Sequence, residues 1–113
     1  MKIITETASL KELWDNRETD FKEMIKIVVD ISKGIFAIDG EMHADLEQLL
    51  LEHGSSQQDL WGANVYPFKE GEDFLEFTSF INIRPSQGNR SMEVLDAGIR
   101  DRMNEIVSNL FQK

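Results

Sequence analysis

Two runs of β-branched residues separated by a short turn constrain the fold of this chain more than any other sequence feature. Residues 25–31 and 35–38 are rich in isoleucine and valine, and the Lys33-Gly34 pair between them favours a tight hairpin. With Lys33-Gly34 as a two-residue turn, Val29 would face Ile38 on the buried side of a sheet. The two runs therefore predict neighbouring antiparallel strands.

Apolar residues at helical spacing predict three helices elsewhere in the chain. Ser9 and Glu12 form a capping box that marks the start of the first helix. The second covers residues 44–53 and ends before Gly54, which can adopt the left-handed conformation of a helix end. Asp96 caps the third helix, whose inward stripe consists of Ile99, Met103, Ile106, Val107, Leu110 and Phe111.

A second hairpin is predicted from two further alternating segments, residues 61–66 and 74–84, which are joined by a polar loop. In a register centred near Gly71, one face of this hairpin is apolar throughout. Asn82 and Arg84 alternate with isoleucines, so we expect both side chains to project from the opposite face of the sheet.

The resulting element order is β-α-β-β-α-β-β-α, which begins with a short strand at residues 3–5. Hairpins imply antiparallel pairing, and one apolar face per strand implies that helices cover only one side of the sheet. We therefore expect residues 1–113 to form a single α+β domain with a mixed, mostly antiparallel sheet packed by three helices. A chain of this length fits one domain and leaves no room for two.

The composition excludes several classes of function. The chain has 12 basic and 21 acidic residues, a formal net charge of −9, and such a surface repels nucleic-acid backbones. It has no cysteine, which removes disulfides and thiolate sites and fits a reducing compartment. No apolar run is long enough for a signal peptide or a membrane span. We therefore expect a cytoplasmic protein without nucleic-acid or membrane partners and without a cofactor.

One segment departs from this acidic character. Residues 77–92 contain no acidic residue and two arginines, Arg84 and Arg90. Two guanidinium groups can hold a phosphate or carboxylate between them, and the turn amides that follow Pro85 can form a concave anion-binding nest. We therefore predict that this loop binds a small anion or an acidic partner segment. The predicted ligand-binding residues are Asn82, Arg84, Ser86, Gln87, Gly88, Asn89 and Arg90, together with Gln58 from the preceding loop.

The same loop also has a purely structural interpretation. Asn82 and Arg84 could tie down loop carbonyls, which is a common role for polar residues near turns. The chain contains no phosphate-loop motif. Gly62 either leaves a gap opposite Phe80 for a flat ligand or a second backbone, or it only relieves crowding there.

Two other functions remain open from the sequence. Asp39, Glu41 and His43 would share one face of an extended segment, where they suit proton transfer or a divalent ion in a small hydrolase or transferase. Acidic residues also collect at helix starts because the helix dipole favours them, so we predict no metal site here. A homodimer could instead bury the half-polar sheet face around Tyr66 and Phe80.

Four short motifs carry a resemblance to a known family. They are Met42-His43-Ala44-Asp45, Asp59-Leu60-Trp61-Gly62, Tyr66-Pro67 and the loop sequence INIRPSQGNRS at residues 81–91. Over nearly its whole length the chain resembles a small family of uncharacterised prokaryotic single-domain proteins. The resemblance implies no activity, cofactor or catalytic residue, because none is established for that family.

Overall fold

A five-stranded sheet forms the centre of the protein in a computed structural model that describes residues 1–113. Its strands lie in the order β1 (Lys2–Ile4), β4 (Ile35–Ile38), β3 (Ile25–Asp30), β5 (Leu60–Val65) and β6 (Leu75–Glu76). Every neighbouring pair in this sheet is antiparallel. A separate parallel pair joins β2 (Ala8–Ser9) to β7 (Phe111–Gln112).

Three helices pack on the sheet, namely α1 (Leu10–Asp15), α2 (His43–Glu52) and α3 (Ala97–Leu110). The Ser9 hydroxyl accepts a hydrogen bond from the amide of Glu12, and Asp96 caps α3 through the amide of Ile99. Gly54 follows α2 with a φ of 101°. The prediction of an α+β fold with three helices and a mostly antiparallel sheet is therefore confirmed. None of the helices is both long enough and apolar enough to span a membrane.

Helices cover both faces of the sheet, so the expectation of a single covered face is wrong. Every residue of β4 and β5 is buried. On one face α1 and α3 pack in the larger core cluster, which includes Leu10, Trp14, Ile27, Val29, Phe36, Met103 and Ile106. On the other face α2 contributes to a smaller cluster of Val28, Ile35, Ala37, Leu46, Leu50 and Leu60. Continuous apolar runs, rather than alternating ones, are typical of strands buried on both faces.

The first hairpin forms with a different register from the predicted one. Val29 pairs with Phe36 rather than with Ile38, so the turn is longer than two residues. The cause is Asp30, whose Oδ1 accepts hydrogen bonds from the amides of Ser32 and Lys33, both at 2.9 Å. Such bonds from an aspartate to amides two and three residues further on favour a wider turn.

The second hairpin is much shorter than predicted, and the prediction of a strand over residues 74–84 is wrong. Strand β6 has only two residues, and Leu75 lies opposite Val65. The chain then continues through short 3-10 turns at Phe80–Asn82 and Pro85–Gln87. We name residues 77–95 the Arg84 loop.

Candidate functional site

The side chain of Asn82 takes the place of a neighbouring strand beside β5. Its Oδ1 accepts a hydrogen bond from the amide of Gly62 at 2.8 Å, and its Nδ2 donates to the Gly62 carbonyl at 3.0 Å. The same Nδ2 also donates to the carbonyl of Met92 at 3.0 Å. Asn82 is fully buried, contrary to the expectation that it would project from the sheet. Because a buried amide without partners is costly, these bonds fix the start of the Arg84 loop.

Gly62 is the position that allows this close approach. A β-carbon on Gly62 would lie 2.6 Å from Cβ of Ser79 and 2.7 Å from its hydroxyl oxygen. The space above Gly62 is therefore filled by Ser79 rather than open to a flat ligand. A residue of the same chain supplies the close contact that the glycine was expected to permit.

Arg84 is buried and makes only internal contacts, with 8% of its surface exposed. Its Nε donates to the carbonyl of Ile81 at 3.1 Å and its Nη1 to the carbonyl of Gln57 at 2.9 Å. Its Nη2 lies 3.2 Å from Oε2 of Glu47 in α2, and its guanidinium carbon lies 4.8 Å from the centre of the Trp61 ring. These contacts match the structural interpretation of Arg84, in which the guanidinium holds loop carbonyls.

Burial shifts both members of the Glu47–Arg84 ion pair towards their neutral forms. Loss of solvent raises the pKa of Glu47 above its ordinary value, although the arginine opposes this shift. Loss of solvent also lowers the pKa of Arg84, although Glu47 opposes that shift. Desolvation therefore outweighs attraction for both groups, as is common for buried ion pairs. The role of Glu47 was not predicted from the sequence, because the spacing of residues along α2 contains no indication of a contact with Arg84, 37 positions later.

Asn89 closes the Arg84 loop from its other end. Its Nδ2 lies within 3.0 Å of the carbonyl oxygens of Asn82, Ser91 and Glu93. Its Oδ1 accepts a hydrogen bond from the amide of Leu95 at 2.9 Å. The backbones of Asn89 and Arg84 also form a two-way bridge, at 2.6 and 3.0 Å. Three buried polar side chains thus hold the loop from inside.

The amides expected to form an anion-binding nest donate hydrogen bonds within the turn. The amide of Gln87 donates to the carbonyl of Arg84 at 2.9 Å, and the amide of Gly88 donates to the carbonyl of Pro85 at 3.0 Å. Gly88 has a φ of 78°, which favours glycine. The side chain of Gln87 donates to the carbonyl of Gln58 at 3.1 Å. The structure therefore brings the eight predicted residues into one neighbourhood, with Asn82, Arg84 and Asn89 inside and the other five exposed.

The outer surface of the Arg84 loop carries apolar side chains. Phe80 is 77% exposed and Ile83 is 43% exposed, and Leu95 is exposed at the far end of the loop. The amide of Ile83 donates to the carbonyl of Phe80, so one 3-10 turn connects the two residues. Arg90 is also exposed, and it takes part in none of the ion pairs of the protein. The sequence pattern placed Ile83 in the core, and this expectation is wrong.

Asp39, Glu41 and His43 next to α2 do not form a metal-binding cluster, and each has contacts of its own. Asp39 accepts hydrogen bonds from the amide and hydroxyl of Thr19 and has a φ of 72°. The carbonyl of Glu41 accepts a bond from Lys26. Nε2 of His43 lies 2.8 Å from the carbonyl of Ala63, and burial lowers the pKa of this imidazole. No three histidine, aspartate or glutamate side chains lie close enough together to hold a metal ion.

Comparison with known proteins gives one match. A family described as a protein of unknown function (DUF5674) matches residues 2–110. The search of the curated proteins and the search of the solved structures each found no match. The likeness therefore covers almost the whole chain and carries no assigned activity.

Proposed function

We propose that this protein, which belongs to the DUF5674 family, is a noncatalytic binding module that holds a segment of a partner protein on the Arg84 loop. The partner segment carries an apolar side chain next to an aspartate or glutamate. We also propose that relatives share the INIRPSQGNRS loop, that they are prokaryotic and that the protein acts in the cytoplasm.

The observation that carries this proposal is the contrast between the two sides of the loop. Inside, the side chains of Asn82, Arg84 and Asn89 bond backbone groups of the loop and of its neighbours, and all three are almost completely buried. Outside, Phe80 and Ile83 are exposed to solvent. A loop held rigidly from inside loses little conformational entropy when it binds, so its exposed aromatic residue is well suited to act as an anchor.

The charge of the loop favours an acidic partner. Arg84 already has Glu47 and two carbonyls as partners, so Arg90 is the arginine with a free guanidinium. A single exposed arginine beside apolar side chains suits a peptide carboxylate better than a free phosphate, because the apolar contacts add to the binding. The remainder of the protein is strongly acidic, which disfavours other orientations of an acidic partner.

A peptide-display selection tests this proposal directly. The wild-type protein is used to select from a random dodecapeptide library, with counter-selection against the Phe80→Ser, Arg90→Gln double variant. We expect selected peptides to combine an aromatic or aliphatic residue with an adjacent acid. Calorimetry with the synthetic peptide should show binding that is at least about tenfold weaker to Phe80→Ser, as for loss of an aromatic anchor.

Two matched variants distinguish binding at this site from nonspecific hydrophobic or electrostatic binding. Phe68 is as exposed as Phe80 but lies elsewhere, so Phe68→Ser should bind the selected peptide like the wild type. Lys22→Gln removes one exposed positive charge away from the loop and should also leave the affinity unchanged. If no peptide is enriched, or if Phe68→Ser weakens binding as much as Phe80→Ser does, the proposal is wrong.

A further inference from the structure

An apolar groove lies on the side of the protein where α1 meets the turn after β5. It encloses about 310 Å³, close to the lower limit of about 300–1,000 Å³ for small-molecule sites. We call it the Trp14 groove, and its lining residues are Leu10, Lys11, Trp14, Asp15, Pro67, Phe68 and Lys113. It shares no residue with the Arg84 loop, so its function is independent of the proposed function.

Two aromatic side chains form the apolar walls of this groove. Trp14 and Phe68 meet edge to face, with ring centres 5.5 Å apart and an angle of 89° between the rings. Trp14 is buried, whereas Phe68 is 75% exposed on the turn that follows Tyr66. The two touching rings therefore form one continuous apolar wall, against which a further ring or alkyl chain can pack.

The rim of the Trp14 groove is positively charged, in contrast to the protein as a whole. Lys11 forms an ion pair with Asp15 at 2.5 Å, so the one acidic side chain of the groove is already neutralised. Lys113 has no carboxylate partner, and its Nζ lies 3.7 Å from the centre of the Phe74 ring. The ammonium group of Lys113 is therefore the one charge of the groove lining that no carboxylate neutralises.

We propose that the Trp14 groove binds a small amphipathic carboxylate. The apolar part of the ligand, an aromatic ring or a short alkyl chain, packs against the wall formed by Trp14 and Phe68. The carboxylate lies towards the ammonium group of Lys113. Charge complementarity selects this class of ligand, because a carboxylate is attracted by the ammonium group of Lys113, a neutral molecule is not, and an amine is repelled by it.

Titration of the full-length ¹⁵N-labelled protein with 4-phenylbutyrate, followed by NMR, tests this proposal. We expect saturable shifts of the Trp14 indole N–H and of the Phe68 amide. The matched probes 4-phenyl-1-butanol and 4-phenylbutylamine carry the same apolar group without the carboxylate. We expect the acid to bind more tightly than the alcohol, and the alcohol more tightly than the amine.

Three variants complete the test. Lys113→Gln should weaken binding of the acid about threefold to fivefold, as for loss of an exposed ion pair, and should leave binding of the alcohol unchanged. Phe68→Ser should abolish the shifts for both probes, and it will fold because Phe68 lies mostly in water. Lys22→Gln, the charge-matched control, should bind the acid like the wild type. Absence of a saturable shift, equal affinity for all three probes, or an unchanged titration in Phe68→Ser would each overturn the proposal.

Discussion

Asn82 pairs with Gly62 through its side-chain amide in the way that a neighbouring strand would pair through its backbone. A primary amide has one acceptor and one donor group at nearly the spacing of a peptide unit, so it can bond both the N–H and the C=O of one residue. The sheet therefore ends at β6 without leaving the backbone of Gly62 unpaired. The chain that would have formed the rest of the strand is released to build the Arg84 loop.

Replacement of Asn82 by alanine should strongly destabilise the protein. It would leave the buried amide and carbonyl of Gly62 and the carbonyl of Met92 without this partner, each at a substantial cost. We expect a loss of about 2–4 kcal/mol in the free energy of unfolding, measured by urea denaturation. Asn104→Ala, on the exposed side of α3, is the matched control and should change stability by less than about 0.5 kcal/mol.

Replacement of Gly62 by alanine should destabilise the protein through contact with Ser79. The new methyl group would overlap Cβ and the hydroxyl of Ser79, at a cost of about 1–3 kcal/mol in the free energy of unfolding. In a double-mutant cycle, Ser79→Gly should recover part of this loss, because it removes the atoms that the methyl group meets. Strictly additive effects of the two substitutions would contradict the close approach seen here.

Replacement of Arg84 by glutamine should cost more than replacement of Glu47 by glutamine. Arg84→Gln leaves two carbonyls and a partly buried carboxylate without their partner, and we expect a loss of about 2–4 kcal/mol in urea denaturation. Glu47→Gln keeps a hydrogen-bond acceptor, and burial already disfavours the charged form of Glu47. Its cost should be the smaller of the two, because the other contacts of Arg84 remain and only its counter-charge is lost. Equal losses in the two variants would show that the attraction between the charges dominates.

The lowered pKa of His43 should make the protein less stable in mildly acidic solution than at neutral pH. Burial lowers its pKa below the ordinary value of 6.5, so the unfolded chain takes up a proton at a higher pH than the folded protein does. Above about pH 6.5 protonation of His43 therefore does not reduce the free energy of unfolding. As the pH falls towards the lowered pKa, the free energy of unfolding decreases.

Denaturation of His43→Gln over the range from about pH 7 to pH 5 measures this contribution. The variant should lose less stability than the wild type as the pH decreases. His53→Gln, an exposed site at the end of α2, keeps the number of histidines equal between the two variants. If both variants show the same slope, the folded environment of His43 does not affect its protonation.

Much of the fold could be predicted because local signals agree with the final structure. Ser9 and Asp96 cap helices as their sequences indicate, and the apolar stripe of α3 faces the core. The errors arise where one side chain overrides the local pattern. Asp30 widens the first turn, and Asn82 replaces a strand that the alternating isoleucines favoured.

The burial of the candidate site residues was not predicted. The absence of acidic residues in 77–92 marks a segment that lies within the Arg84 loop, and its role as a binding site stays a prediction. Alternation placed Asn82 and Arg84 outside and Ile83 inside, and the structure has the opposite arrangement. The inversion depends on Glu47 and Gln57, which lie far from the loop in the sequence. A period-two pattern contains no information about such distant partners.

The β2–β7 pair has a consequence for how the chain acquires its structure. Ala8 and Phe111 lie about 100 positions apart, so their pairing closes one of the longest loops that the chain permits. Phe111 also contacts Phe36 and Phe74, which places Phe111 inside the core. Such distant contacts slow folding, because their closure entropy is lost before the contacts form. During synthesis the central hairpin would therefore form early but remain partly uncovered, and the core would close only after Phe111 had left the ribosome.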